Sequence, residues 1–283
     1  MPSLIDIRRR IRSVRNTQQI TKAMKMVAAA KLRKSQERVV AARPYAAILN
    51  QVLANVAGAV QGADVSHPLL ERREEKRIQI VLLTADRGLA GAFNANLIKA
   101  TQKFMRDNSG TTVAIECVGR KGRDFFRKRA TVSGEHLGIF NKVHLSDAVS
   151  ISKVVSDRYA KGETDAVYLV YNEFKSVIAQ RIILKKVLPV DLPVGGPARD
   201  YIYEEPPLDL LGSLLPKYVE NAIYTAILES ATSEHAARMT AMDAATSNAS
   251  EVIDKLTLYM NRVRQASITK EIIEVVSGAA ALE

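Results

Sequence analysis

Two periods of hydrophobic and polar positions run along this chain, and the change between them divides it. Over residues 3–57, Leu4, Ile7, Ile11 and Val14 set a three-four stripe. It continues less strictly through Ile20, Met24, Val27 and Ala28 to Leu32 and Val39. This helical period predicts one long amphipathic helix. Pro2 and the Ser3–Asp6 capping-box spacing mark its start. Pro44 is expected to bend or weaken it, and it is expected to end near Ala57. At the other end, Lys217–Ser277 holds 61 residues without a Gly or Pro. Those two residues cost a helix interior about 1 and 3 kcal/mol, so their absence predicts an unbroken helix. Ala245, Ala249, Val252, Leu256, Tyr259, Val263 and Ala266 are spaced as a heptad seam. A straight helix of this length would measure about 90 Å at 1.5 Å per residue. It must therefore leave the body of the protein and find a partner for its seam.

Between these helices the period changes. Residues 58–77 read as a polar connector. Ile78–Thr84, Val113–Val118, Ala166–Tyr171 and Ile178–Leu188 are apolar or branched runs expected to be strands. Helical patterns near Gly91–Arg106, Lys121–Arg129 and Ser146–Ala160 separate the first three. This alternation predicts a three-layer, Rossmann-like α/β domain over 78–207 with a parallel or mixed sheet. Residues 189–207, with five prolines and Gly195–Gly196, read as a loop. The last helix is expected over 208–283, with Pro216 as a kink or restart. The expected fold class is thus α/β, with long N-terminal (1–57) and C-terminal helices paired as an antiparallel coiled coil.

Charge adds direction to this pairing. The net charge is +11, but residues 1–43 carry +10 and residues 208–283 carry −4. Opposite signs at the two ends favour their association, modestly, because exposed ion pairs contribute only about 0–1 kcal/mol each. Arg8, Arg9, Arg10, Arg12 and Arg15 on the first helix also raise an alternative, a basic coiled-coil protein that binds nucleic acid. Against it, residues 1–43 hold no aromatic side chain for base stacking.

Catalytic signals are sparse. His67, His136, His144 and His235 are scattered without metal-ligand spacing. The lone Cys117 excludes an internal disulfide and reads as a buried small hydrophobe. Gly88–Asn94 lies where a phosphate loop would sit but lacks both glycine-rich patterns. A tight strand-to-helix turn is the competing reading, and it also covers Gly119–Gly122. No metal or cofactor is expected. No run of 18 apolar residues or secretory signal is apparent.

Four stretches carry a resemblance. Arg264-Gln265-Ala266-Ser267-Ile268-Thr269-Lys270-Glu271, followed by Glu274 and Gly278-Ala279, resembles the C-terminal signature of the gamma subunit family of F-type ATP synthases. Ile11–Val14 with Asn16–Ala29 resembles the family's N-terminal helix. Thr84–Gly91 and Tyr201–Glu204 resemble its middle-domain motifs. Order and spacing match along the whole chain.

The resemblance implies a non-catalytic rotor shaft that couples proton flow to ATP synthesis, or hydrolysis to pumping. The implied partners are a hexamer of alpha and beta subunits, an epsilon subunit and a membrane ring of c subunits, with one copy per complex. It carries over Met24, Lys25, Arg238, Arg264, Gln265, Thr269 and Glu271 as contacts to the alpha and beta subunits. Tyr201, Tyr203 and Glu204 match the region near the c-ring and epsilon. The lone cysteine argues against the thiol-regulated chloroplast form. Because the motif region begins almost at residue 1, a bacterial enzyme on the cytoplasmic side of the plasma membrane is expected. The shaft itself would bind no nucleotide or nucleic acid.

Overall fold

The computed structural model describes residues 3–60, 67–192 and 204–280. It forms two compact units, Met1–Ala28 with Met239–Glu283 and Ala29–Arg238. Two helices, α1 (Leu4–Ala59) and α5 (Pro207–Ala280), supply residues to both. The capping box at the start of α1 is formed: the Asp6 N–H donates to Ser3 Oγ at 3.2 Å, and the Ser3 hydroxyl donates to the Asp6 carboxylate at 2.8 Å. Neither internal proline ends its helix. Pro44 lies inside α1 and Pro216 inside α5, so Pro216 is not a restart. Pro44 is exposed, which lets water satisfy the carbonyl left without its N–H donor.

The second unit is built on a five-stranded sheet of order β3-β2-β1-β4-β5. Its strands are β1 (Arg77–Leu83), β2 (Thr112–Val118), β3 (Thr131–His136), β4 (Ala166–Phe174) and β5 (Gln180–Leu188). β1 pairs in parallel with β2 and β4, and β2 with β3. β5 runs antiparallel to β4. Side-chain alternation splits β1 between two cores. Ile78, Ile80 and Leu82 pack with Phe93 and Leu97 of α2 (Phe93–Asp107) and Phe126 of α3 (Arg120–Phe126). Val81 and Leu83 face the other way, toward Ile151, Val155 and Tyr159 of α4 (Leu145–Ala160). Leu53 and Val56 of α1, with Leu215, Val219 and Ile223 of α5, complete that second core. Three layers result, and the terminal helices contribute to one of them.

Strand β3 departs from the sequence reading. Its Thr131-Val132-Ser133-Gly134-Glu135-His136 carries one large aliphatic residue and lies at the sheet edge. A buried carboxylate holds it instead. Glu116 of β2 is 1% exposed. It accepts from Ser133 at 2.9 Å, Gln79 at 3.0 Å and Arg158 at 2.6 Å, and bonds His136 at 2.9 Å. Gly134 makes room for it: a Cβ there would stand 1.8 Å from Glu116 Oε1. Burial pushes the Glu116 carboxyl up, but bonds from His136, Arg158 and Ser133 together hold it below its ordinary value.

The first unit pairs the two chain ends. Leu4, Ile7, Ile11, Val14, Gln18, Thr21 and Lys25 of α1 are buried or half-buried in strict three-four order. Thr21 meets Thr246 of α5 at 2.8 Å, and Lys25 pairs with Asp243 at 2.5 Å. Moving up α1 moves down α5, so the pairing is antiparallel. The inward stripe of α5 is Met242, Thr246, Ala249, Ile253, Leu256, Met260 and Val263. This corrects the expected seam. Ala249, Leu256 and Val263 stand, but Val252 and Tyr259 are exposed beside the inward Ile253 and Met260, and Ala266 is exposed as well. Ile20 and Val27 of α1 are likewise exposed, at 60% and 58%.

Candidate functional site

In an open α/β sheet, ligands settle beyond the carboxyl ends of the strands where the strand order reverses. Here that point lies between β1 and β4, and α5 fills it. The Ser230 hydroxyl donates to the Leu83 carbonyl at 3.4 Å, and the Ser233 hydroxyl to the Asn172 carbonyl at 3.2 Å. Arg238 pairs with Glu234 at 2.7 Å and donates to the Gly88 carbonyl at 3.1 Å.

The glycine-rich turns beside this crevice are partly committed to the protein as well. Asn94 Oδ1 accepts the Ala85 N–H at 2.9 Å. Asp86 accepts the N–H groups of Arg120 and Gly138, both at 3.1 Å. Gly119 has φ +95°, and a Cβ there would fall 1.9 Å from the Thr84 carbonyl oxygen. Close packing explains these small residues, and the donors a phosphate would need at Arg120 and Ala85 already have acceptors.

A different surface is left open at the end of α5. Carrying the Thr21–Thr246 pairing back to Leu4 reaches Val263. Beyond that residue α1 offers no opposing turn. From Ile268 to Ser277 every residue is exposed. Five of them are large and apolar: Ile268, Ile272, Ile273, Val275 and Val276, at 49–72% exposure. At 100° per residue, all five share one side of the helix. Gln265 and Thr269 fall within that side, and Arg264 and Glu271 flank it. The Thr269 hydroxyl donates to the Gln265 carbonyl at 2.9 Å, which leaves its methyl outward. Lys270 and Glu274 face each other at 3.4 Å on the polar side. A contiguous apolar face of this kind, rimmed by polar groups, is an interaction surface.

The sequence-derived contact residues therefore separate into groups. Arg264, Gln265, Thr269 and Glu271 are exposed together on this terminal stretch. Met24 and Lys25 lie half-buried in the pairing of the first unit, Lys25 bonded to Asp243. Arg238 belongs to the second unit, where its side chain is 14% exposed. Glu204 is exposed, whereas Tyr201 and Tyr203 lie outside the described residues. Sequence reasoning missed the polar layer made by Thr21, Thr246 and Asp243. The signal for it was present, since polar residues at three-four spacing continue a seam as well as apolar ones do. Among the described residues no group of His, Cys, Asp or Glu could hold a metal ion, and no helix is long and apolar enough to cross a membrane. Burial pushes the Cys117 thiol up to about 12.

Comparison with known proteins fits this geometry. A family model described as ATP synthase matches residues 3–282. The ATP synthase gamma chain of Solibacter usitatus is 64% identical, with all of both chains aligned. That of Pelotomaculum thermopropionicum is 52% identical, again over the whole of both. Among solved structures, the central stalk and c-ring structure of the Tetrahymena thermophila mitochondrial ATP synthase aligns with TM-score 0.64 and 26% identity, over 80% of this chain and 99% of that one. A chain of the Euglena gracilis mitochondrial ATP synthase shares the fold at TM-score 0.68 and 19% identity, over 99% and 94%.

Proposed function

Because the chain belongs to the ATP synthase gamma chain family, as its full-length match shows, we propose that it works as the non-catalytic rotor shaft. Its bare α5 end carries that reading, because a helix continued past its antiparallel partner with an exposed apolar face is built to turn against something else. The partners are a hexamer of alpha and beta subunits around the shaft, with an epsilon subunit and a c-ring at the other end. One copy serves each complex. An asymmetric helix contacts each copy of a catalytic subunit differently, and so biases each toward a different state. Proton flow through the ring thereby drives ATP synthesis, and hydrolysis drives pumping.

Arg264, Gln265, Thr269 and Glu271 are the contacts we assign to the alpha and beta subunits at the apolar end, with Met24, Lys25 and Arg238 lower on the helices. Arg238 must give up its bond to Gly88, or share it, to meet a partner. Tyr201, Tyr203 and Glu204 are assigned to the c-ring and epsilon. The chain is peripheral, held at the cytoplasmic side of a bacterial plasma membrane through the complex. The basic face of α1 needs no nucleic acid in this reading, since acidic partner loops match it.

Co-expression with alpha and beta subunits, followed by mass measurement, tests the proposal. It expects one copy of this chain per three alpha and three beta subunits, with no ATP hydrolysis by the chain alone. Hydrolysis by the isolated chain, or failure to enter the complex, would overturn it.

A further inference from the structure

A second basic feature, in the second unit, is not used by the rotor reading. In the second unit, one face of α1, the loop after the 3-10 turn Ile139–Asn141, and α5 line a half-open cavity of about 280 Å³. Lys31, Lys34 and Arg38 reach it from α1, and Lys142 from the loop. Ser35 and Asn141 add a hydroxyl and an amide. No carboxylate lines it. Phe140, Leu228 and Ala231 supply apolar walls, which strengthen any charge interaction inside. The volume is several times the ~30 Å³ share of one water.

Four observations make this more than a solvated charge run. Lys31, Lys34 and Lys142 form no ion pair among the described residues. The nearby carboxylate of Glu234 pairs with Arg238 at 2.7 Å and lies within electrostatic reach of Lys31. Arg38 is fixed in place by donating to the Val143 carbonyl at 3.2 Å, so one cation is oriented in advance. Finally, His235 lines the cavity at 6% exposure, and its Nδ1 has no hydrogen-bond partner. A buried polar atom without a partner is destabilising, and turning the ring toward a ligand in the cavity would satisfy it. Burial, with Arg238 and Lys31 nearby, pushes His235 down to about 4. The imidazole is therefore neutral near pH 7, and an anion beside it would raise it.

We infer that this cavity is a binding site for a phosphate-class oxyanion, with Lys31, Lys34, Arg38 and Lys142 supplying charge and His235 the inner wall. A cleft lined by one sign of charge concentrates such ions. Free phosphate and the phosphate chain of a nucleotide share this chemistry.

The test uses the purified full-length chain, titrated with inorganic phosphate, pyrophosphate and ADP at matched ionic strength, with chloride as reference. Binding is read by calorimetry and by the His235 imidazole resonance. Saturable binding and a moved His235 signal are expected, both absent with chloride. The double variant Lys34→Gln with Lys142→Gln should weaken affinity at least about tenfold. The variant Lys99→Gln with Lys103→Gln, equal in charge and on exposed α2 positions, should leave it unchanged. Pyrophosphate binding as well as ADP identifies a free-oxyanion site, and tighter ADP binding identifies the nucleotide's phosphate chain. Equal response to chloride, equal loss in both double variants, or a still His235 signal would overturn the inference. So would an acidic peptide that occupies the cavity while all three phosphate compounds fail, because the surface would then serve protein docking.

Discussion

The strand-end crevice of the second unit and the terminal stretch of α5 are opposite solutions to the same problem. At the crevice, α5 and the neighbouring turns supply partners for several of the groups that could greet a ligand, among them the Ala85 and Arg120 N–H groups. Ser230, Ser233 and Arg238 take up the free carbonyls of Leu83, Asn172 and Gly88, and the apolar side chains of β1 are buried on both sheet faces. At the helix end, Ile268, Ile272 and Val276 face solvent, and the backbone bonds only to itself. A sheet can be completed by its own chain, because layers stack on it. A single helix beyond its partner cannot bury its apolar face, so its completion has to come from another molecule. The protein thus carries its stability in one place and leaves its interaction surface in the other.

The comparison breaks most readily in the sheet. Leu97 of α2 is fully buried against β1 and β4, and Leu97→Ala should lower the stability of the second unit by about 2–5 kcal/mol in urea unfolding. Arg158→Ala should rank with it, at about 3–5 kcal/mol, because it strips a charged partner from buried Glu116. The Glu116 carboxyl is held below its ordinary value, so its contribution is present above the unfolded carboxylate pKa near 4.5 and fades as acid passes through the lower folded value. Unfolding curves across that acid range should steepen in wild type and flatten in Glu116→Gln.

A smaller effect of opposite sign sits on α5. Burial, then the neighbouring Glu173, pushes Glu229 up to about 7. Its stabilising contribution is complete below the ordinary 4.5 and is lost as pH rises through about 7. Between those values wild type should lose up to about 2 kcal/mol, solvent screening included, and Glu229→Gln should not. The smallest effect on folding belongs to the helix end. Ile272→Asp should change unfolding of the isolated chain by less than about 0.5 kcal/mol. In membrane vesicles with the other subunits, Ile272→Asp, like Arg264→Ala with Gln265→Ala, should uncouple ATP hydrolysis from proton pumping. Intact coupling in both variants would remove the helix end from the torque path.

Legibility in the sequence followed burial. β1, β2 and β4 are readable because both faces are covered, which makes β1 apolar from Ile78 to Leu83 but for the buried Gln79. β3 is not, because Glu116, Arg158 and His136 hold it through contacts distant in sequence. For the seam of α5 the sequence predicts the right period and the wrong phase. Val252–Ile253 and Tyr259–Met260 are adjacent apolar pairs, so two heptads share Ala249, Leu256 and Val263, and only the position of α1 selects between them. On α1 the phase is kept by Gln18, Thr21 and Lys25, which a search for apolar residues passes over in favour of Ile20 and Val27. Among the site residues, Arg264, Gln265, Thr269 and Glu271 are exposed on α5, and their role as contacts rests on the motif alone. The internal bonding of Arg238 did not show in sequence, because Gly88 reaches it only through the fold.

Amide hydrogen exchange on the chain alone and in complex with alpha and beta subunits tests the division of labour most directly. The account predicts rapid exchange over Arg264–Ser277 in the isolated chain, strong protection there in the complex, and equally slow exchange of β1 and β4 in both. An end that stays unprotected in the assembled complex, or a sheet that becomes protected only there, would contradict it.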